Sequence, residues 1–254
     1  MKWWPQSITK RALMVMVAVL VVSFAIALQK QSVTGAMAAD WRTARRDSAG
    51  IAPDPLKVRE AVVQVYAARA FSWRGYLGVH TWISVKPANA KEFSVYEVVG
   101  WRVMHDQPAL SISNRPADGR WFGAIPELLV DLRGQGVDDI IRRIDIAARN
   151  YRYMDQYRIW PGPNSNTFTA EVGRAVPELK LDLPATAIGK DFLPDGDFVA
   201  GTPSGTGYQV SLYGLLGLMV AREEGLELNV LGLTFGIDPT DLSLKLPFAG
   251  RVGF

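Results

Sequence analysis

Hydrophobic and polar positions alternate along three stretches in the first half of the chain, which is the pattern of β-strands with one buried face. The stretches are residues 60–70, 75–87 and 93–103, and the second of them carries His80. Only a short polar segment separates the second stretch from the third. A connection of that length favours a hairpin, so the sequence predicts an antiparallel sheet here.

Helical periods follow the predicted strands. Within residues 136–150, apolar positions recur every three or four residues and arginines fall between them. This spacing predicts an amphipathic helix with its apolar side on the core. Residues 125–132 are predicted to form a short helix, and residues 167–176 a helix that ends before Pro177.

The composition of the chain changes after Pro177, where glycine, proline and threonine become frequent. Residues 208–220 and 226–235 are apolar or alternating, and they are predicted to be two strands paired across a turn at residues 223–225. A helix over residues 211–222 is the alternative. The glycines within that segment disfavour the helix.

An uncharged apolar run occupies residues 12–28, and its length is near the lower limit for spanning a bilayer. Basic residues before the run favour a cytoplasmic N-terminus. We therefore predict a single-pass anchor in the bacterial inner (cytoplasmic) membrane, with the globular part on the periplasmic side. A secreted protein is the alternative, because Ala36-Met37-Ala38 fits a signal-peptide cleavage site near Ala38.

Together these elements predict an α+β fold, with helices packed on an antiparallel sheet and one transmembrane helix before it. Residues 1–30 form the predicted anchor, residues 31–56 a linker and residues 57–254 a single globular domain. Within that domain we expect a core over about residues 60–180 and a glycine-rich β extension over about residues 181–254.

Composition and charge exclude several classes of function. The 254-residue chain contains no cysteine, which rules out disulfides, thiolate metal sites and cysteine nucleophiles. It contains only two histidines, so no metal and no other cofactor is expected. The net charge is +3 at pH 7 and the basic residues are scattered, so no nucleic-acid partner is expected. Lys190 and Asp191 are interpreted as a surface ion pair.

The stiffest turn of the chain is predicted at residues 160–168, where a Pro-Gly-Pro segment precedes Asn164, Ser165 and Asn166. Asparagine and serine are favoured where a helix begins. The free N–H groups at a helix start stabilise an anion or a nucleophile. Ser165 is therefore the candidate nucleophile, and the alternative is that it only bonds backbone N–H groups at the start of the helix.

A serine nucleophile needs an adjacent base, and the base needs an orienting partner. His80 is the candidate base, and Glu97 on the next predicted strand is the candidate orienting residue, with Tyr96 as the alternative. A histidine hydrogen-bonded within the core is the alternative for His80. Four further residues are expected to bind a ligand beside this site: Asn164, Asn166, Trp82 and Trp160. For Asn164 and Asn166 the alternative is that they cap the helix or hold the turn.

The order of a strand histidine followed by Asn164-Ser165-Asn166-Thr167-Phe168 resembles that of circularly permuted papain-like hydrolases. These include the PPPDE peptidases and the lecithin:retinol acyltransferase relatives. The resemblance implies a papain-like core with Ser165 at the position of their nucleophilic cysteine and His80 as the base. The chain also resembles the uncharacterised bacterial family DUF3750, in residues 160–168, 187–191 and 231–233.

Three functions are consistent with these features. The first is a membrane-anchored envelope hydrolase or acyltransferase that acts on a peptide, cell-wall or lipid substrate through Ser165 and His80. The second is a catalytically inactive papain-like protein that binds a peptide, glycan or lipid ligand, since Ser165 replaces cysteine. The third is a structural envelope protein that uses the glycine-rich C-terminal part as an interface.

Overall fold

The computed structural model describes residues 4–34 and 40–253. Its first element is helix α1 (Trp4–Thr34). Within α1, the 21 residues Thr9–Gln29 reach a mean hydropathy of 2.6, and they are long and apolar enough to cross a membrane. The apolar run at residues 12–28 lies inside this helix, whereas the predicted cleavage site near Ala38 lies outside the described residues.

Five antiparallel strands form the first sheet, in the order β4-β3-β2-β1-β5. They are β1 (Val62–Arg69), β2 (Val79–Lys86), β3 (Ser94–Val98), β4 (Leu110–Ser113) and β5 (Glu127–Arg133). A short helix, α2 (Gly100–Val103), lies between β3 and β4. The predicted hairpin is confirmed, since β2 pairs with β3 and places Ile83 opposite Tyr96.

The predicted helix over residues 125–132 is wrong, because most of this segment forms β5. Strand β5 pairs antiparallel with β1, and Val130 lies opposite Val65. Strand β1 thus supplies the backbone hydrogen-bond partners of β5. This pairing outweighs the local preference of residues 125–132 for a helix.

Two helices, α3 (Val137–Arg149) and α4 (Ser165–Ala175), pack on one face of the first sheet. Helix α3 confirms the helix predicted over residues 136–150, and α4 begins two residues before the predicted 167. Apolar side chains of both helices and of the sheet form the main core, including Val65, Ile83, Val85, Ile144, Phe168 and Val172. Burial of each large aliphatic side chain contributes roughly 1.5–3 kcal/mol.

Loops cover the opposite face of the first sheet. The carboxylate of Asp118 accepts hydrogen bonds from the Ser48 hydroxyl at 2.7 Å and from the backbone N–H groups of Ile51 at 2.6 Å and Ala52 at 3.1 Å. Ser48 also forms an isolated β-bridge with Gly119. Part of the predicted linker over residues 31–56 is therefore packed onto the globular body.

Seven antiparallel strands form a second sheet in sequential order, so that each strand pairs with its neighbour in the chain. They are β6 (Val199–Gly201), β7 (Gly207–Leu212), β8 (Leu216–Ala221), β9 (Gly225–Val230), β10 (Leu233–Asp238), β11 (Ser243–Leu246) and β12 (Gly250–Gly253). Both sheets and the helices make the protein α+β, as predicted from the sequence.

The single strand predicted over residues 208–220 is two strands, β7 and β8. Tyr213 and Gly214 have φ values of 52° and 70°, and the N–H of Leu215 bonds the carbonyl of Leu212. Positive φ at two successive residues reverses the chain in a tight hairpin. The alternative helix over residues 211–222 is wrong for the same reason.

A chain of buried ion pairs joins the second sheet to the body. Lys190 Nζ lies 2.9 Å from Asp191 and 2.5 Å from Glu227. Lys245 Nζ lies 2.7 Å from Glu227 and 2.6 Å from Asp182. The side chains of Lys190, Glu227 and Lys245 are all at most 3 % exposed. The predicted surface ion pair of Lys190 and Asp191 is thus a buried one, because the second sheet covers it.

Candidate functional site

The predicted turn at residues 160–168 delivers the chain into α4, with cis peptide bonds before Pro161 and Pro163. Asn164 caps the helix. Its Oδ1 accepts the N–H groups of Asn166 at 2.9 Å and Thr167 at 3.2 Å, and the Thr167 hydroxyl accepts the N–H of Asn164 at 3.2 Å. This reciprocal capping box satisfies the free donors at the helix start.

The side-chain amides of Asn164 and Asn166 are used inside the protein. The Nδ2 group of Asn164 donates to the carbonyls of Ile159 and Ile188. The Nδ2 group of Asn166 donates to the carbonyls of Val79 and Ile188, at 3.1 and 2.8 Å. Both asparagines thus connect the start of α4 to Ile188, and Asn166 also connects it to β2, which is a structural role.

Ser165 is the first residue of α4 and only 3 % exposed. Its carbonyl accepts hydrogen bonds from the hydroxyls of Thr81 at 3.3 Å and Thr169 at 3.1 Å. Its own hydroxyl makes no hydrogen bond within the described part of the chain. The helix cap is therefore Asn164, and the serine hydroxyl has no base beside it.

Thr81, and not His80, is the residue of β2 that faces α4. The Thr81 hydroxyl bonds Thr169 Oγ1 at 2.9 Å and Asn166 Oδ1 at 3.1 Å. Successive side chains of a strand point to opposite faces, so His80 points away from Ser165. The predicted Ser165–His80 pair is not formed, because the two residues lie on opposite faces of the first sheet.

His80 forms a buried cluster with Glu97 on that opposite face. His80 Nε2 lies 2.9 Å from Glu97 Oε2, so the structure brings together the predicted base and its predicted orienting residue. The guanidinium of Arg115 donates two hydrogen bonds to the same carboxylate, from Nε to Oε1 at 2.9 Å and from Nη2 to Oε2 at 3.1 Å. The alternative orienting residue, Tyr96, bonds Asp145 on the helical face instead.

The protonation states of this cluster follow from burial and contact. Burial lowers the pKa of His80 against the opposing pull of Glu97. Burial would raise the pKa of Glu97, but the hydrogen bond from His80 and the charge of Arg115 outweigh it and lower that pKa to about 2. An ionised Glu97 can only accept hydrogen bonds. A neutral His80 therefore donates the N–H of Nε2 to Glu97 and keeps a lone pair on Nδ1.

Aromatic side chains cover the His80 ring. The ring of Trp121 stacks on it at 3.6 Å between centroids, and Trp101 in turn stacks on Trp121 at 5.7 Å. Trp82 is fully buried, and its Nε1 donates to the carbonyl of Ala117 at 2.7 Å. Trp82 is thus part of the core and presents no free surface to a ligand.

Trp160 lies away from this cluster, in the turn before α4. It is 50 % exposed, and its Nε1 donates to the carbonyl of Leu231 at 3.0 Å. Leu231 belongs to the turn between β9 and β10, so Trp160 ties the first sheet's helical layer to the second sheet. The predicted site residues thus fall into two groups, one at the start of α4 and in the turn before it, and one around His80 on the opposite face of the first sheet.

A cleft of about 970 Å³ lies between the two sheets, and none of the predicted site residues lines it. The segments that line it come from β1, β5, residues 182–186, β10–β12 and the end of α1. Its charged residues are three cations and five carboxylates: Arg69, Lys245, Arg251, Glu127, Asp182, Glu223, Asp238 and Asp241. Among the described residues, no group of three or more histidine, aspartate or glutamate side chains could hold a metal ion.

Sequence reasoning missed this cleft and two residues of the His80 cluster. Arg115 and Trp121 both come from the loop between β4 and β5, and their only sequence signal is that polar and aromatic residues share one loop. No local sequence motif marks the cleft, because its lining residues are spread along the chain from Gln29 to Arg251.

The sequence model of a protein family matches residues 60–192, just over half of the 254-residue chain. The matched range contains the first sheet, α3, α4 and the Lys190–Asp191 pair. No curated protein and no solved structure matches the chain, and the papain-like resemblance finds no support there. The chain belongs to the family described as "Protein of unknown function (DUF3750)".

Proposed function

We propose that this protein is a membrane-anchored binding protein that does not use a Ser165–His80 dyad. One observation carries the proposal: Thr81 contacts α4, at 2.9 Å from Thr169, and this leaves His80 on the other face of the sheet. A serine without a base within reach is a weak nucleophile. A hydrolase or acyltransferase built on Ser165 would need the first sheet to be rebuilt.

The anchor in this proposal is α1. Its Thr9–Gln29 segment has the length and hydropathy of a membrane span, and 11 % of its most apolar window is buried against the body. The basic residues at its start favour a cytoplasmic N-terminus. The body would then lie on the periplasmic side of the cytoplasmic membrane.

The ligand site in this proposal is the cleft between the two sheets. Arg69 lies in its wall, and its guanidinium donates to the backbone carbonyls of Phe248 at 2.8 Å and Gly75 at 3.4 Å. It makes no ion pair within the described residues. Lys245 and Arg251, in contrast, are paired with carboxylates. An unpaired guanidinium favours a ligand with a carboxylate or phosphate group, such as a peptide, an acidic glycan or a lipid headgroup.

Labelling with a serine-reactive phosphonate tests the absence of a dyad. The full chain in detergent micelles and its Ser165→Ala variant should show equal background labelling. Labelling of the wild-type chain that the Ser165→Ala variant loses would overturn the proposal and restore Ser165 as a nucleophile.

Thermal unfolding with added ligand tests the cleft. Soluble peptidoglycan fragments from a lysozyme digest and micelles of short-chain phosphatidylglycerol are the two probes. At least one should raise the melting temperature of the wild-type chain, and Arg69→Gln should remove the increase. Arg142→Gln is the matched control, because Arg142 is an exposed arginine of α3 outside the cleft. No increase with either probe, or the same increase in the Arg69→Gln variant, would contradict the cleft assignment.

A further inference from the structure

The second sheet has an apolar face that points away from the body. Across β7 to β10 the registered neighbours Tyr208, Val220, Leu226 and Ile237 form one row. A second row contains Val210, Leu218, Leu228 and Phe235. Tyr208 is 75 % exposed and Val220 is 56 % exposed, so these side chains are open to their surroundings.

The inward face of the same strands is polar. The positions that alternate with the apolar rows are buried and include Gln209, Ser211, Glu227, Asn229 and Thr234. Lys245 of β11 lies opposite Gly236 of β10 and is buried on the same face. A soluble antiparallel sheet normally turns its apolar face to the core and its polar face to water. Here the polar face is packed against the body, where Glu227 forms buried ion pairs with Lys190 and Lys245. The apolar face therefore points away from the body.

The size of this face distinguishes it from ordinary surface. The six-residue strands β7 to β10, at about 4.8 Å spacing and about 20 Å in length, cover roughly 400 Å². No charged residue occupies an outward position of β7 to β10. Patches of roughly 300–600 Å² are the largest found on typical monomers, and they mark surfaces that another apolar body covers.

The apolar face continues around one end of the sheet. Alternate turns of a sequential antiparallel sheet lie at the same end, so the turns after β7, β9 and β11 are neighbours. They carry Tyr213, Leu231 and Phe248, and the first two are 51 % and 61 % exposed. The turns at the opposite end carry charged residues, including Arg222, Glu223 and Asp241.

The end with apolar turns is also the end that touches the candidate membrane span. The ring of Phe24 in α1 lies 5.9 Å from that of Phe248 and 6.3 Å from that of Tyr76. Phe24 lies within the apolar segment Thr9–Gln29. The apolar turns therefore begin where α1 meets the body.

We propose that the apolar face of the second sheet and the turns at Tyr213 and Leu231 lie against the lipid of the membrane that α1 crosses. This inference rests on the proposed membrane anchor. Lipid chains can cover both the face and the turns, and the apolar surface is continuous with α1. A second copy stacked on the sheet would cover the face and leave the turns in water. Burial of the face in hydrocarbon removes its apolar area from water, which stabilises the bound position.

Spin labels provide the test, because the chain has no cysteine of its own. A single cysteine is placed at Leu218 or Leu228 in the full chain, which is reconstituted into phosphatidylcholine–phosphatidylglycerol vesicles. Arg142→Cys on the exposed side of α3 is the matched control. Each labelled residue is exposed, so the substitution does not disturb the core. Power saturation then compares access by oxygen, which dissolves in lipid, with access by a water-soluble nickel chelate.

The lipid-facing arrangement predicts that nickel access at residues 218 and 228 is at least roughly five-fold lower than at residue 142, with oxygen access high. Nickel access equal to that of the control would overturn the inference. Low access of both reagents together with dipolar broadening between labels would also overturn it, in favour of a second copy. Vesicle flotation separates the two proposals, since a chain that fails to float refutes the anchor itself.

Discussion

The hydroxyl of Thr81 lies 2.9 Å from the hydroxyl of Thr169, so the threonine that follows His80 is the residue of β2 in contact with α4. Because side chains alternate along a strand, this one contact places the imidazole on the far side of the sheet from Ser165. The helical face of the sheet is consequently a packed layer in which Thr81, Asn166 and Thr169 share hydrogen bonds.

The start of α4 depends on Asn164 and not on Ser165. Asn164→Ala removes the cap and the hydrogen bonds that Nδ2 donates to the carbonyls of Ile159 and Ile188, of which the second keeps Asn166 as a donor, and we expect it to cost about 2–4 kcal/mol. Ser165→Ala removes a hydroxyl without a partner, and we expect a change within about 0.5 kcal/mol. Chemical denaturation of the full chain in micelles measures both, and equal losses would contradict this assignment.

Arg115 stabilises the buried carboxylate of Glu97. Arg115→Leu leaves that charge with His80 as its one side-chain partner among the described residues, so we expect the free energy of unfolding to fall by about 2–4 kcal/mol. Arg142→Leu breaks an exposed pair with Asp139 and should change it by less than about 1 kcal/mol. A double variant with Glu97→Gln should recover part of the loss. Failure of Arg115→Leu to exceed the control would contradict the role of this contact.

The pH dependence of stability should carry the signature of His80. Burial lowers the pKa of its imidazole below the ordinary value of 6.5. The unfolded chain therefore binds this proton at a higher pH than the folded chain does. The stability that the folded chain has with a neutral His80 is complete above pH 6.5 and falls as the pH drops below that value.

Glu97 adds a second loss of stability at lower pH, between its ordinary pKa of 4.5 and its folded pKa of about 2.

The His80 effect is measured above that range. Melting temperatures of the wild-type chain should fall between pH 7.5 and pH 5, and the His80→Gln variant should show a flatter curve. Parallel curves for the two proteins would show that His80 does not titrate as described.

The second sheet is joined to the body by Glu227, which contacts both Lys190 and Lys245. Glu227→Gln leaves two buried ammonium groups with one fewer carboxylate, and we expect a loss of about 3–5 kcal/mol. Glu92→Gln is the control, because Glu92 is exposed and accepts a hydrogen bond from the side-chain amide of Asn114 at the surface. Limited proteolysis should cut the Glu227→Gln variant within residues 199–253 first. Equal resistance of the two variants would argue against the ion-pair chain.

The partner of His80 could be found from the sequence, but the face on which both lie could not. His80 and Glu97 lie on adjacent strands of a predicted hairpin, and local pairing is enough to bring them together. Strand β2 is buried on both faces, with Ile83 and Val85 in the main core and Trp82 in another. Periodicity therefore could not tell which face would meet a helix that begins 79 residues after Lys86.

The extent of the second sheet was also out of reach. The alternation in residues 226–235 identified strand character, but alternation alone does not tell which face of a strand points away from the body. The reason lies in Glu227 and Lys245, whose ion pairs form only when distant segments meet. In α3, by contrast, the apolar stripe and the polar side both predict an amphipathic helix with its apolar side on the core. The helix lies where the sequence predicted it.

Engineered disulfides test the central claim, the opposite orientation of His80 and Ser165, most directly. In the full chain, which lacks native cysteines, Thr81→Cys with Thr169→Cys should close a disulfide on mild oxidation, because the two hydroxyls already lie 2.9 Å apart. His80→Cys with Ser165→Cys should remain reduced, as intact mass after alkylation will report. Closure of the His80–Ser165 pair, with the Thr81–Thr169 pair left reduced, would contradict the account.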